Sequence, residues 1–176
     1  MYTSTLEFEG IKFKGTMDMN SLKSIQEDLL SEGIKTTIPN IFKKISEYEM
    51  TYISSFVLNT LSSINEKKRD EFLGLFLTKT KDDLQTINRY NSIFSYINDL
   101  MARCLPKVES KEESIFEDDY LLYEDKDWEL SHMEFMWNSV INRSDNFWNI
   151  TPKNYFEQFE IYKKFNNIKD EKVEDF

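Results

Sequence analysis

The chain has one cysteine and one histidine in 176 residues. A lone Cys104 excludes an internal disulfide framework and any zinc site built from several thiolates. A lone His132 excludes any site that needs two imidazoles. Four glycines, at positions 10, 15, 33 and 74, leave no phosphate-cradling loop of the usual kind. No stretch approaches the ~20 apolar residues of a membrane-spanning helix. The first residues, Met-Tyr-Thr-Ser-Thr-Leu-Glu, lack the basic-then-apolar pattern of a secretory signal, so a cytoplasmic protein is expected. There is also no surplus of positive charge. The 32 acidic and 22 basic residues give a net charge of -10, which argues against a nucleic-acid partner, because phosphate contacts need Lys and Arg. Aromatic residues are plentiful at 15%, unlike in a disordered acidic chain.

The charge is unevenly placed. Residues 1–104 hold 14 acids and 13 bases; residues 105–176 hold 18 acids and 9 bases, and all three tryptophans. The composition changes near Pro106. This predicts a near-neutral domain over 1–104, an acidic linker over 105–127, and an aromatic C-terminal unit over 128–176 that ends in an acidic tail.

Leu6–Glu9 and Ile11–Lys14 alternate apolar and polar residues around Gly10, the pattern of a short β-hairpin. Helical spacing follows in Met19, Leu22, Ile25, Leu29 and Leu30, closed by Gly33. Pro39-Asn40 starts a short helix carrying Ile41, Phe42 and Ile45. Ser46-Glu-Tyr-Glu49 fits a capping box for a helix running to about Ser63, and Asn65 caps another through Phe72, Leu73 and Phe76. Asp82 and Asp83 complement the positive end of the next helix. There, Leu84, Ile87, Asn91, Phe94, Ile97, Met101 and Cys104 form one stripe, expected to pack on the bundle or on a partner helix. Beyond the linker, Ser131-His-Met-Glu134 reads as a capping box with a Leu130–Phe135 staple, ahead of Met133, Met136, Trp137, Val140 and Ile141. Asn142–Asp145 ends that helix. Thr151 caps the last one, with Pro152 at its first position and Ile150 and Tyr155 repeating the staple. The fold expected is mainly α: a short N-terminal β-hairpin with a small helical bundle, an acidic linker and a C-terminal helical hairpin.

Catalytic chemistry finds no support in these residues. His132 falls in a first helical turn, and Cys104 closes an apolar stripe where a small buried hydrophobe is the common role. The acid runs Asp82-Asp83 and Glu117-Asp118-Asp119 lack calcium-loop spacing with its glycine. No cofactor or metal is expected, and the chain reads as a binding protein rather than an enzyme.

The stretch Trp128-Glu-Leu-Ser, followed by Asn146-Phe-Trp-Asn-Ile-Thr-Pro-Lys-Asn-Tyr-Phe and on to about Lys164, resembles the C-terminal part of the tail assembly chaperones of tailed bacteriophages. In that family a helix is followed by a Phe-Trp, two residues, Thr-Pro turn and a last helix; the matching positions here are Phe147, Trp148, Thr151 and Pro152. The N-terminal hairpin and the helix of Leu22, Ile25 and Leu29 are similar in pattern. The resemblance implies a non-catalytic protein of the host cytoplasm, absent from the mature virion. It would bind the tape measure protein and hold it soluble until tail tube protein polymerises around it. In many phages the two parts arise by translational frameshifting, and the change near Pro106 suits such a junction. Trp128, Trp137, Phe147, Trp148 and Phe156, with the Thr151-Pro152 turn, are the expected client surface; the competing expectation is that the aromatics form the buried seam of the hairpin. Self-association is left open. Other functions weighed are a tail or baseplate component retained in the virion, an acidic inhibitor of a host enzyme, and a small enzyme.

Overall fold

In a computed structural model, residues 2–62, 66–106 and 127–168 are described. The expected cap at Asn65, the acid run at Glu117–Asp119, the acidic tail, and most of the expected linker lie outside the described residues. The protein is mainly helical, with an N-terminal two-stranded antiparallel hairpin, as its sequence pattern predicts.

Strands β1 (Ser4–Phe8) and β2 (Ile11–Gly15) pair with Leu6 opposite Phe13 and Phe8 opposite Ile11. Alternation puts Ser4, Leu6 and Phe8 inward and Thr5 and Glu7 outward. Glu9 and Gly10 both have positive φ, 51° and 76°, the backbone that a two-residue turn needs to match the twist of its strands.

Helix α1 (Met19–Ser31) starts at a capping box in which the Ser21 N–H donates to Asp18 Oδ1 at 2.8 Å. Met19, Leu22, Ile25 and Leu29 form its buried face. Asp18 is itself only 3% exposed, and burial raises its carboxyl pKa against the lowering effect of Ser21. A carboxyl whose folded pKa lies above its unfolded value binds more protons when folded, so its contribution to stability falls as pH rises through the folded pKa. Asp18→Asn keeps the cap acceptor and removes that charge. The stability difference between variant and wild type is therefore expected to grow in the variant's favour from pH 4 to pH 7, read from urea midpoints. Asp18→Ala loses the cap and is expected to cost about 1–2 kcal/mol at pH 4 and less at pH 7, because it removes the same carboxyl.

Helix α2 (Ile38–Ser46) has Thr37 as its cap and Pro39 in its first turn. The capping box expected at Ser46 does not form. Ser46 ends α2 and donates to Lys43 O, Tyr48 turns left-handed at φ 61°, and α3 begins at Met50 and runs to Ser62. Lys44 explains the difference: its ammonium holds Glu47 at 2.8 Å and Glu49 at 2.6 Å, so the Glu49 carboxylate is engaged by a cation.

Helix α3 is the centre of the molecule, packed on α1, α2, β2 and α4 (Glu66–Phe76). Helix α5 (Asp83–Cys104) is capped by Asp82, which accepts from the Gln85 N–H at 2.7 Å. Its buried line is Ile93, Tyr96, Ile97, Leu100 and Cys104, which corrects the expected stripe. Leu84 and Ile87 are 65% and 54% exposed. The reason is the hairpin tip. Arg89 and Gln85 face Glu9, with Arg89 Nε 2.6 Å from its carboxylate and the guanidinium 5.4 Å from the Phe8 ring centroid. That bond to Arg89 holds the Glu9 carboxyl below the usual range. Two polar residues thus continue the inward line of α5 and turn Leu84 and Ile87 outward.

The C-terminal segment joins the same core. Met19 N–H donates to Ile150 O at 3.0 Å, and Leu130, Met133, Trp137, Phe147, Ile150 and Tyr155 are buried with the residues of α1, α3 and the hairpin. Leu105, where the acidic linker was expected to begin, is buried; at its other end Asp127 accepts from the Ile38 N–H at 3.0 Å. No helix among the described residues is long and apolar enough to cross a membrane.

Candidate binding groove

Three short elements build the C-terminal face. Helix α6 (Leu130–Phe135) runs into a π-helical turn (Met136–Val140), closed by an Ile141 N–H to Met136 O bond of 2.8 Å. Asn142 then leaves the helix at φ 57°. A single 3-10 turn (Phe147–Asn149) leads to Thr151, whose hydroxyl accepts from the Asn154 N–H as the cap of α7 (Pro152–Phe165). The expected start of α7 is therefore the observed one, with Ile150 and Tyr155 both buried.

The expected capping box at Ser131 fails. Helix α6 begins two residues earlier, at Leu130 after Glu129, without a side-chain cap, and Phe135 is exposed rather than stapled to Leu130. Glu134, expected to serve the helix end, instead accepts the Trp148 indole N–H at 2.8 Å.

That bond helps to shape a groove of about 740 Å³ between α1 and the segment 127–134. Trp128 and Trp148 both line it, as do Leu30 and Ile34. Lys23 lies 5.0 Å from the Trp148 ring centroid, a distance suited to cation–π attraction. Trp128 meets Phe42 and Phe156 with centroids at 6.1 and 5.2 Å, and its buried indole N–H has no hydrogen-bond partner. Four acids, Glu27, Asp127, Glu129 and Glu134, and two lysines, Lys23 and Lys35, also line the groove. His132 lines it too and is exposed.

The residues expected at a client surface thus divide. Trp128 and Trp148 are partly buried groove residues, and Phe156, also partly buried, lies directly behind Trp128. Trp137 and Phe147 are each 1% exposed and belong to the core. Thr151 and the buried Pro152 set the start of α7 and so aim its ring face. Tyr155 links both sets: its ring lies 6.2 Å from Trp137, 6.0 Å from Phe147 and 5.3 Å from Phe156, and burial raises its phenol pKa to about 12.

The α1 wall is what sequence reasoning missed. Leu30, expected on the apolar face beside Leu29, is instead 59% exposed and falls outside the core line, and Lys23, Gln26 and Glu27 look like an ordinary solvated helix face. The one available signal was Leu30 itself, an extra leucine on a helix whose core positions were already filled.

No known protein family, curated protein or solved structure matches this chain. Cys104 stays within the core, where burial raises its thiol pKa to about 11, so it is protonated at neutral pH. No cluster of three or more metal-ligating side chains is found among the described residues.

Proposed function

We propose that this protein is a non-catalytic tail assembly chaperone that binds a phage tape measure protein and assists assembly of tail tube protein around it. The observation that carries this reading is the open groove between α1 and residues 127–134, lined by Trp128, Trp148 and six charged side chains. A long helical client exposes an apolar seam that invites aggregation. A groove with aromatic walls takes the apolar ridge of such a helix, and tryptophans are the side chains that contribute most per contact at interfaces. The net charge of -10 keeps the resulting complex soluble. On this reading the protein works in the host cytoplasm and leaves before the virion matures.

The test is co-purification with the tape measure protein. Trp148→Ala and Trp128→Ala are each expected to weaken the complex about tenfold or more, the range of an interface anchor, while the variants stay folded by circular dichroism. Undiminished binding by the folded double variant removes the groove from the client site. Mass spectrometry of purified particles separates this function from that of a structural component: a chaperone is absent, a tail or baseplate part is present in stoichiometric amount.

A further inference from the structure

We infer that the outer face of the first half of α5 is a self-association surface, on which two copies of the chain pair antiparallel about a two-fold axis. Leu84 and Ile87 are largely exposed, Tyr90 is 39% exposed, and Phe94 is partly buried. These residues follow one another along one side of the helix over ten residues, about 15 Å. Tyr48 widens the strip. It is 69% exposed, and its ring meets Phe94 edge-on at 5.2 Å; Tyr90 stacks on Phe94 at 6.5 Å.

Charge decides what covers this face. Two copies that each carry -10 repel unless they meet where charge is absent. From Leu84 to Ile97 there is one charged residue, Arg89, and it is turned to Glu9 in the hairpin. The groove, by contrast, is lined by six charged side chains. Beside Tyr48, Glu47 and Glu49 are both held by Lys44, so the helix face itself carries no unpaired charge; such a face suits a second copy of the same chain, and a charged groove suits a different partner.

Asn91 fixes the register. It is exposed at the middle of the strip, between Ile87 and Phe94. A lone asparagine in an apolar helix seam selects pairing and register, because its amide both donates and accepts. An interface with two-fold symmetry places one residue type against itself. With the axis at Asn91, the two amides pair with each other, and Ile87 of each copy meets Phe94 of the other on either side. Antiparallel helices also set opposite dipole ends side by side.

Sedimentation equilibrium of the full chain is expected to give a dimer at 100 μM, and Ile87→Glu a monomer of unchanged circular dichroism. In a Cys104→Ser background, Asn91→Cys is expected to cross-link under mild oxidation, whereas Thr51→Cys, exposed on α3, stays uncross-linked. A wild-type monomer at 100 μM overturns the proposal. So does a dimer that Ile87→Glu leaves intact, or one in which Asn91→Cys fails to cross-link. Client binding through the groove is read separately, so either result leaves the proposed function standing or falling on its own test.

Discussion

Trp137→Ala is expected to lower the unfolding free energy by about 3–5 kcal/mol, the usual range for removing a buried aromatic. Trp137 is the largest of the side chains that are less than 2% exposed. It packs beside Tyr155 and donates its indole N–H to Asp145 O at 2.8 Å, which ties the π-helical turn to the loop after it. Alanine leaves a cavity that the turn cannot collapse into without releasing Asn142 and the following loop. It also strips the Asp145 carbonyl of its donor. Trp137→Phe separates these costs. Phenylalanine retains much of the ring volume and loses the hydrogen bond, so a loss of about 1–3 kcal/mol is expected. Urea unfolding of both variants measures the two values. Unchanged stability in Trp137→Ala, with weaker client binding, would return Trp137 to the surface role its sequence neighbourhood suggests.

Trp137 also marks where the sequence stops being informative. Its i, i+3, i+4 neighbours announce a helix with an apolar face, and that helix is there. Whether such a face meets a client or its own core depends on where α1 and the 3-10 turn lie, and periodicity carries no such information. The hairpin, α1 and the Thr151-Pro152 start were legible because local chemistry alone fixes them: strict alternation, helical spacing closed by a glycine, and a threonine cap followed by a proline without a donor. The Ser46 and Ser131 boxes failed because a capping glutamate has other offers. Lys44 engages Glu49 in one case, and Trp148 engages Glu134 in the other. The stripe of α5 failed in a related way. A charged arginine carries no sign in the apolar spacing that it will face inward, yet the pairing of Arg89 with Glu9 brings it onto the inward line and displaces Ile87 from it. Half of the candidate groove was legible, as Trp128 and Trp148. The other half is the ordinary-looking polar face of α1.

Gly15→Ala tests the packing at the opposite end of the hairpin, and its sign is informative. Where a glycine has an unstrained backbone and free space around it, alanine stabilises by about 0.4–1 kcal/mol, because the unfolded chain loses freedom. Gly15 has no positive φ but has no space either. A Cβ there would lie 1.8 Å from the Tyr96 hydroxyl oxygen and 2.9 Å from Thr60 O. Neither neighbour yields easily. Tyr96 is 2% exposed and donates to Thr60 Oγ1 at 3.0 Å, and Thr60 O accepts the Thr16 N–H at 3.0 Å. This is the point where β2, α3 and α5 touch backbone to side chain. Alanine must push Tyr96 aside, break its bond to Thr60, or part β2 from α3. Overpacking of about 1–3 kcal/mol adds to the cost of unpaired buried hydroxyls. A loss of about 3 kcal/mol or more is expected in urea unfolding. Tyr96→Phe in the same chain removes the nearest oxygen but leaves the ring carbon at 2.9 Å, so it should recover part of that loss and show coupling between the two sites. A neutral or stabilising Gly15→Ala would mean that the hairpin does not lie this close to α5.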